Sequence, residues 1–446
     1  MRKHILIVLG IFIVAGAAFY YWASRPDIAK LPADAVTGKR PKITQARYQN
    51  FPTIGIAKPV GWGGAKPTAA AGLQVNAFAS GLDHPRWIYR LPNGDVLVAE
   101  TNSPPRQVRG VTDWVMGLFL SQAGANTPSA NRITLLRDAD GDGVAETKTV
   151  LIGGLNSPLG MALTGGYLYI ANTDALVRVP FTPGQTKITA RPETVVTYPG
   201  GGNHWGRGLL AAPDGSSLYV SVGSSSNIAE GEIEPDATIP EEKNRANILQ
   251  VDSVHKAARV YAGGLRNPQG LAFNPQSGGL WTVVNERDMM GSDLAPDYMT
   301  QIELGDHFGW PWYYWGGYPD ARVKPQNPAL QEYAKRPDYA LGAHVAALGL
   351  AFANDAKLGP NFANGAFVGE HGSWNRKPLT GYKVVYIPFA ADGFPVKGAR
   401  PVDLLTGFLD ANGQARGRPV GVATDKTGGL LVADDVGNVI WRVSAK

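Results

Sequence analysis

Short apolar runs, separated by turns rich in glycine, proline, asparagine and aspartate, dominate the chain after about residue 70. One example is Asp83–Glu100, in which Trp-Ile-Tyr-Arg-Leu and Val-Leu-Val-Ala-Glu stand on either side of Pro-Asn-Gly-Asp. Two short apolar runs joined by such turn residues are typical of a β-hairpin. The pattern therefore predicts an all-β protein built from hairpins.

A comparable hairpin recurs along the chain, each time after a short segment that carries glycine or proline. The repeats begin near residues 83, 156, 204, 266, 347 and 418. Six units at intervals of roughly 50 to 80 residues favour a six-bladed β-propeller over residues 71–446, with a pair of β-sandwiches as the alternative. The last strand, Val439–Val443, is expected to complete the first blade. The segments that lead into the blades should then meet at one end of the central channel and line one pocket.

The N-terminus has a different pattern. Basic residues at Met1–His4 precede an uninterrupted apolar run, Ile5–Trp22, which is near the length that spans a bilayer and ends in aromatic residues. We expect an uncleaved signal-anchor, a transmembrane helix over residues 1–24, with the bulk of the chain exported. A signal peptide cleaved near Ala15–Ala18 is the alternative. Residues 25–70, rich in proline, alanine and lysine, predict a linker that can wrap partly on the body.

Composition excludes several function classes. The net charge is +5 without a dense Lys/Arg run, which argues against nucleic-acid binding. The chain has no cysteine, which excludes disulfides, iron–sulfur clusters and covalently attached c-type haem.

The stretch Gly200–Arg207 reads Gly-Gly-Gly-Asn-His-Trp-Gly-Arg and leads into an apolar run. Three glycines leave room for a flat or bulky group, and His204 and Arg207 follow them. An unperturbed imidazole titrates near pH 6.5, so a neutral histidine at this position can act as a general base near an anionic ligand. The alternative is an ordinary turn whose histidine caps a loop.

Cationic side chains gather in the same segments. They are Arg86, Arg207, Arg266, Arg287, Arg376, Lys377, Arg416 and Arg418. Each one alone can be a solvated loop charge, but together they indicate a small polyanionic ligand. Arg416 and Arg418, separated by one glycine, can fork carboxylates. Trp205, Trp374 and the stretch Trp310–Trp312 can supply flat walls.

Two stretches suggest a hard cation. The loop Asn285–Tyr298 is dense in oxygen atoms that suit calcium, although it can also be a capped, charged loop. Asp138–Glu146 begins like a calcium loop, with Asp138, Asp140 and Asp142 at alternate positions and Glu146 after them. Position twelve of that stretch is Thr149, and its flanks predict strands, so it is not an EF-hand. It predicts a calcium-binding hairpin turn or a plain Asp-Gly turn.

Taken together, these motifs resemble the six-bladed quinoprotein sugar dehydrogenases, which use pyrroloquinoline quinone (PQQ). The L-sorbosone dehydrogenase branch is the most similar, with soluble glucose dehydrogenase and aldose sugar dehydrogenase as relatives. The resemblance covers residues 73–446 and is carried by Leu82–Trp87, Asn203–Arg207, Gly264–Phe273, Asn285–Asp288, Gly309–Pro311, Gly369–Arg376 and Arg416–Arg418.

The resemblance implies an enzyme that passes a hydride from a sugar or sugar aldehyde to PQQ, with calcium bound beside the cofactor. It implies His204 as the base, assisted by Arg266. It further implies cofactor contacts from Arg266, Asn267, Trp374, Arg376 or Lys377, Arg416 and Arg418. The backbone carbonyls of Asp288 and Met289 fall where calcium binds in the family. With the predicted anchor, it implies a bacterial inner-membrane protein whose catalytic domain faces the periplasm, with a quinone or another acceptor taking the electrons.

Two positions depart from the glucose-oxidising pattern. Asn203 stands where an aspartate precedes the catalytic histidine, and Leu155 stands where a glutamine contacts the sugar. These departures leave the substrate open between sorbosone-like and aldose-like sugars. Two other functions remain as alternatives, namely a calcium-dependent lactonase or esterase and a non-enzymatic binding propeller, since propellers host many functions.

Overall fold

The structure, a computed structural model, describes residues 14–16, 25–49, 52–105, 110–125, 127–230 and 242–446. Over these residues the chain forms six antiparallel sheets arranged as blades, which confirms the predicted all-β, six-bladed propeller. The apolar runs become strands whose residues are largely buried, and the polar turn residues connect them.

The first four blades each have four strands, which follow one another from the channel outward. Blade 1 contains Pro85–Arg90, Val96–Glu100, Arg132–Arg137 and Thr147–Ile152. Blade 2 contains Met161–Thr164, Tyr167–Ala171, Ala175–Pro180 and Glu193–Thr197. Blade 3 contains Leu209–Ala211, Leu218–Val222, Asn247–Asp252 and Ala257–Gly263. Blade 4 contains Asn267–Phe273, Leu280–Asn285, Pro296–Ile302 and Tyr339–Ala343.

The last two blades also take strands from the N-terminal part of the chain. Blade 5 contains Ala347–Phe352, Gly365–Glu370, Lys383–Pro388, Val402–Thr406 and the short strand Thr68–Ala69. Blade 6 contains Pro419–Thr424, Leu430–Asp434, Val439–Ala445 and Leu73–Ser80. The C-terminal strand was expected to complete the first blade. Instead, the N-terminal strand completes the last one, because Leu73–Ser80 pairs with Val439–Ala445 along its whole length.

Smaller elements lie between the strands. Blade 4 carries an insertion, residues 303–338, with the short strands Tyr313–Tyr314 and Tyr318–Pro319 and the helix Pro328–Gln331. A helix, Val111–Gln122, interrupts blade 1. Short 3-10 turns in the described part of the chain span Ala33–Val36, Ala353–Asp355 and Pro360–Phe362.

The core lies between neighbouring blades. Trp281 of blade 4 is fully buried, and its ring meets those of Phe352 and Phe389 of blade 5 edge to face. The first strands of adjacent blades also contact one another around the channel, and Pro419–Thr424 contacts Pro85–Arg90. Apolar burial between blades therefore holds the ring together and fixes the direction in which each leading loop points.

The predicted anchor, residues 1–24, lies outside the described residues except for 14–16, which are helical. No helix within the described part of the chain has the length and apolar character needed to cross a bilayer.

The described part of the predicted linker packs on the propeller. We call residues 25–67 the strap. Its Asp27 forms a salt bridge with Arg47, and Asp293 of blade 4 accepts hydrogen bonds from the backbone N–H of Lys30 (2.9 Å) and from Arg47 Nη2 (3.1 Å). Farther along the strap, Gly55 N–H donates to Trp374 O (2.7 Å). The strap thus ties together loops of blades 4 and 5.

Asp293 is the buried carboxylate on which this attachment depends, so we expect Asp293→Asn to loosen the strap. Removing the charge of a buried carboxylate that accepts hydrogen bonds costs about 1–3 kcal/mol. Limited proteolysis should therefore cut residues 25–67 faster in the variant than in the wild type, while the far-UV signal of the propeller is retained. Glu332→Gln, at an exposed position, is the control. Equal cleavage rates in all three proteins would contradict the assigned role of Asp293.

Candidate active site

The register of the blades explains why the site residues converge. In an antiparallel hairpin the first residue of one strand lies opposite the last residue of the next. The structure shows this in the pairs Asn267 with Asn285, Ala347 with Glu370, and Pro419 with Asp434. The loop before the first strand and the loop after the second strand therefore reach the same end of the channel.

His204 lies in the loop that precedes blade 3. Gly201 and Gly202 have φ values of 68° and 78°, a left-handed conformation that favours glycine, and they turn the chain just before the histidine. His204 Nδ1 is 2.9 Å from both Ser224 O and Ser224 Oγ. A Cβ atom on Gly223 would lie 2.6 Å from the Cβ of His204 and from Asn267 Oδ1, so only glycine fits there. The loop positions the imidazole through contacts that other residues cannot reproduce.

Arg207 holds this loop and is not a pocket cation, contrary to the prediction. It is fully buried and donates to the carbonyls of Thr173 (3.1 Å), Pro199 (2.9 Å), His204 (2.7 Å) and Gly206 (3.1 Å). Burial lowers the pKa of Arg207 to about 10, which still leaves it charged at neutral pH.

Arg287 was also expected in the pocket and is likewise a structural group. It is fully buried and donates to Glu286 Oε2 (2.9 Å) and to the carbonyls of Pro311 and Tyr313 (2.6 Å each). Because its donors are engaged within the protein, Arg287 fastens the insertion of blade 4 to the propeller.

Arg266 is buried in the wall beside the His204 loop. Its Nε donates to Asn227 O (3.0 Å), and its Nη2 donates to Asn227 Oδ1 (2.9 Å) and Asp288 Oδ2 (3.0 Å). Its Nη1 donates to Glu286 O (2.6 Å). The neighbouring Asn267 is also buried, and its Oδ1 accepts a hydrogen bond from Gln269 Nε2 (2.8 Å). Both predicted residues thus lie at the channel end, in contact with other groups of the wall.

Asp288 connects Arg266 to a histidine that sequence reasoning missed. His344 Nδ1 lies 3.3 Å from Asp288 Oδ1. Burial raises the pKa of Asp288, but Arg266, His344 and His204 lower it by more, so the net shift is downward. Burial lowers the pKa of His344, but its pairing with Asp288 raises it by more. The sequence does hold a signal for His344, because this residue precedes the first strand of blade 5 and the loops before the first strands reach the pocket.

A second cluster lies on the side of the channel formed by blades 1, 5 and 6. Asp435 Oδ2 accepts hydrogen bonds from Arg86 Nη1 (2.7 Å) and His371 Nε2 (2.9 Å), and His84 Nε2 lies 3.5 Å away. Arg418 is buried beside them, with its guanidinium 5.1 Å from the Tyr382 ring. We call Arg86, Arg418, His84, His371 and Asp435 the cationic cluster.

The cationic cluster carries more positive than negative charge. Burial lowers the pKa of His371 to about 4, so this histidine is neutral at neutral pH. Burial raises the pKa of Asp435, but His371, His84 and Arg86 lower it by more, and the carboxylate stays ionised. Two guanidiniums then face one carboxylate. Within the described residues, the buried Nε atoms of Arg86 and Arg418 have no hydrogen-bond partner. Such buried donors fit an anionic ligand.

The two sides of the channel are linked through Trp205. The Arg86 guanidinium lies 5.5 Å from the centre of the Trp205 ring, and Trp205 follows His204 in sequence. Asp435 was missed by sequence reasoning, although it follows the second strand of blade 6 as His371 follows that of blade 5. Asp288, His371 and Asp435 each follow the second strand of a blade, and the loop after that strand reaches the pocket end of the channel.

The remaining predicted cofactor residues differ in their burial and in their partners. Arg376 is buried and donates to Ser292 O (3.0 Å) and Pro378 O (2.6 Å). Lys377 and Trp374 are exposed, and Arg416 is half-buried. The structure therefore brings Arg418 into the cationic cluster without Arg416. The cofactor roles of these residues stay predictions.

The predicted calcium carbonyls are engaged by protein donors. Asp288 O accepts hydrogen bonds from Asn227 Nδ2 (3.2 Å) and Arg322 Nη1 (3.0 Å). Met289 O accepts from the backbone N–H of Gln49 (3.3 Å) and from Arg322 Nη1 (3.5 Å). A carbonyl has two acceptor positions. As arranged, these two carbonyls do not fit a calcium ion.

The second predicted metal group forms a compact turn away from the pocket. Ligand atoms of Asp138, Asp140, Asp142 and Glu146 lie within 4.8 Å of one another. The turn joins the third and fourth strands of blade 1, at the end of the propeller opposite His204. Its carboxylates accept backbone N–H groups of the same turn, for example Gly141 N–H to Asp138 Oδ1 (2.6 Å). Calcium binding by this turn stays a prediction, with a plain Asp-Gly turn as the alternative.

Solved structures share this architecture. The calcium structure of a Trichoderma reesei family AA12 carbohydrate-active enzyme matches with a TM-score of 0.68 at 20% identity, over 88% of this chain and 99% of that one. The holo PQQ domain of the Coprinopsis cinerea pyranose dehydrogenase matches with a TM-score of 0.67 at 21% identity, over 87% and 98%. At these identities the matches establish the fold.

Sequence comparison adds a family. The PQQ-dependent pyranose dehydrogenase of Coprinopsis cinerea is 26% identical over 436 residues, covering 84% of this chain but only 54% of that protein. An uncharacterised protein of Borreliella burgdorferi is 28% identical over 367 residues, covering 79% of this chain and 90% of that one. The family model described as TrAA12-like matches residues 67–302 and 297–446. The chain therefore belongs to the TrAA12-like family.

Proposed function

We propose that this protein is a PQQ-dependent dehydrogenase that oxidises a sugar or a sugar aldehyde. The observation that carries the proposal is the cationic cluster, with the buried, unpartnered Nε atoms of Arg86 and Arg418, linked through Trp205 to His204. Support also comes from the relatives, since the pyranose dehydrogenase is named as PQQ-dependent. When bound, PQQ supplies an electrophilic quinone that accepts two electrons.

The cationic cluster would hold the carboxylates of the cofactor. Guanidiniums are suited to carboxylates because their planar N–H groups donate in pairs. Arg86 donates one hydrogen bond to Asp435, and its buried Nε has no acceptor within the described residues. The buried Nε of Arg418 likewise has no acceptor there. These donors sit where water is largely excluded, so the charge attraction is strong there.

His204 would remove the proton of the substrate hydroxyl. Its Nδ1 is fixed by Ser224, which directs the ring and makes Nε2 the nitrogen that transfers the proton. Asp288 lies near enough to His204 for the two groups to interact electrostatically. A carboxylate there stabilises an imidazolium, so it favours the protonated histidine that forms after proton removal.

Arg266 acts on this arrangement through its neighbours. Its salt bridge with Asp288 and its bonds to Asn227 keep that wall in one conformation. Calcium takes no part in these steps, because the predicted carbonyls are already engaged. The lactonase alternative loses support for a related reason, since it needs carboxylates free for metal while Asp288 and Asp435 are paired with cations.

The proposal also covers the sugar substrate, the electron acceptor and the cellular location of the protein. We propose a sorbosone-like or aldose-like sugar, because Asn203 and the buried Leu155 replace the polar contacts of the glucose-oxidising pattern. We also propose a quinone or another acceptor, and an inner-membrane anchor formed by the apolar run Ile5–Trp22 with the propeller in the periplasm. Extraction of the full-length protein by detergent, but not by high salt, would support the anchor.

His204→Ala tests the base. Removal of a general base typically costs 10²- to 10⁴-fold in rate, so PQQ reduction by sugar should slow by about that factor. Stopped-flow absorbance of bound PQQ isolates this half-reaction from the acceptor step. PQQ affinity should change little, since the cationic cluster remains. His255→Ala, an exposed outer-face histidine, is the matched control. Near wild-type reduction in the His204 variant would place the base elsewhere, with His84 and His371 as the next candidates.

Arg418→Ala tests the cofactor site. A hydrogen bond to a charged group contributes about 1.5–3 kcal/mol, which at about 1.4 kcal/mol per decade is one to two decades in Kd. Titration of PQQ against tryptophan fluorescence should show this weakening, and saturating PQQ should restore much of the rate. Arg416→Ala should have a smaller effect, because Arg416 is half-buried and lies outside the cluster. Arg259→Ala, on an outer strand, is the control. An unchanged titration for Arg418→Ala would remove the cluster from the site.

A further inference from the structure

Arg322, in the insertion of blade 4, reaches the loop that the resemblance assigns to calcium. Its Nη1 lies 3.0 Å from Asp288 O and 3.5 Å from Met289 O. One positively charged group thus sits between the same two carbonyls that were expected to share a metal ion. Calcium binds backbone carbonyls at about 2.3–2.6 Å and needs their lone pairs. An ion and this guanidinium cannot both occupy that position.

The other acceptor positions of the two carbonyls are also taken. Asn227 Nδ2 donates to Asp288 O, and the backbone N–H of Gln49 in the strap donates to Met289 O. Met289 itself has a φ of 67°, and its N–H donates to Asn375 Oδ1 (2.8 Å). Protein groups therefore satisfy both carbonyls of the loop and the N–H group of Met289.

Arg322 is held firmly enough to be a permanent part of the site. Asp320 accepts from its Nε (2.9 Å) and its Nη2 (2.6 Å), a bidentate pair. Burial raises the pKa of Asp320, but Arg322 and Arg287 lower it by more, so it remains a carboxylate. The guanidinium also lies 5.2 Å from the centre of the Tyr48 ring. An arginine keeps its charge at every physiological pH.

We infer that the guanidinium of Arg322 takes the place of the calcium ion at the Asp288–Met289 carbonyls. The loop is then held by a built-in cation, and the site is complete without a metal. Cofactor binding should accordingly be independent of calcium, and this last consequence rests on the proposed PQQ function. The claim about calcium at the loop does not, so the two can be tested separately.

The first experiment measures calcium binding without PQQ, by thermal unfolding over a calcium titration. All proteins carry Asp140→Asn and Asp142→Asn, which disable the acidic turn of blade 1. The otherwise wild-type protein should show no change in Tm between chelator and calcium. Arg322→Ala should unfold at a lower temperature, and its Tm should rise with each tenfold increase in calcium, because Asp320 and the two carbonyls remain as oxygen ligands. Arg336→Ala is the matched control, since Arg336 also stacks on an aromatic ring of the insertion, Trp315, and donates to a carbonyl of the strap.

A Tm of the otherwise wild-type protein that rises with calcium would overturn the inference, and this measurement does not depend on the Arg322 variant folding. Equal calcium responses of the wild-type and Arg322→Ala proteins would also overturn it, because the guanidinium and the ion would then not compete for one place. Arg322→Lys, which keeps the charge but loses the bidentate pair with Asp320, should bind calcium less well than Arg322→Ala.

The second experiment titrates PQQ against tryptophan fluorescence in chelator and in calcium. The wild-type Kd should agree within about twofold between the two conditions, a difference of about 0.4 kcal/mol. PQQ binding that requires calcium would overturn the inference. A protein that binds PQQ under neither condition would refute the proposed function, while the calcium titration would still decide the role of Arg322.

Discussion

The pairing of Leu73–Ser80 with Val439–Ala445 is the constraint on which the rest of the structure depends. A propeller removes exposed sheet edges only when its ring is closed. In this chain the closing strand comes from one end and its partner from the other, so the last blade forms only when both ends are in place. The residue separation makes this contact costly in entropy, and it is offset by burial between all six blades. Once the ring is closed, the register of each hairpin brings the loops before and after it to one end of the central channel. The candidate site is formed by these loops.

The buried and half-buried arginines of this site differ in how fully their N–H donors are used. Leaving a buried donor unpaired costs about 1–3 kcal/mol, and more for a charged group. Arg207, Arg266 and Arg287 meet this cost with protein carbonyls and carboxylates, and they hold loops in position. Arg86 and Arg418 do not, within the described residues. Arg418 is buried and Arg86 is half-buried, and each keeps a buried Nε that has no partner among the described residues. An anionic ligand is the group that would offset this cost.

Much of the fold could be predicted from the sequence, because hairpin repeats and turn residues are local signals. The position of His204 after three glycines was local as well. The hydrogen-bond and salt-bridge partners of each charged side chain could not be predicted. Arg207 and Arg418 look alike in the sequence, because each lies beside a glycine and before a strand. Only their tertiary contacts show that Arg207 holds a loop in position, whereas Arg418 belongs to the cationic cluster. Asp435 and His344 carry no local motif that marks them, although their positions beside blade strands follow from the same hairpin register.

The strap shows how a segment that was predicted as a linker becomes part of the site. Its composition suggested a tether, since proline and alanine give little periodic pattern, but its backbone groups have specific partners. Ala57 O accepts a hydrogen bond from Arg418 Nη2 (3.3 Å), and the Gln49 N–H donates to Met289 O. Tyr48 lies beside Arg322. The strap therefore contacts both the cationic cluster, which would hold the cofactor, and the pair of carbonyls at Asp288 and Met289. Since the contacts of Ala57 and Gln49 use backbone atoms, their loss would depend on the path of the strap more than on the identity of those two side chains. A propeller that begins at residue 71 would consequently keep the four main strands of every blade, lose the edge strand Thr68–Ala69 and lose part of the wall of the candidate site.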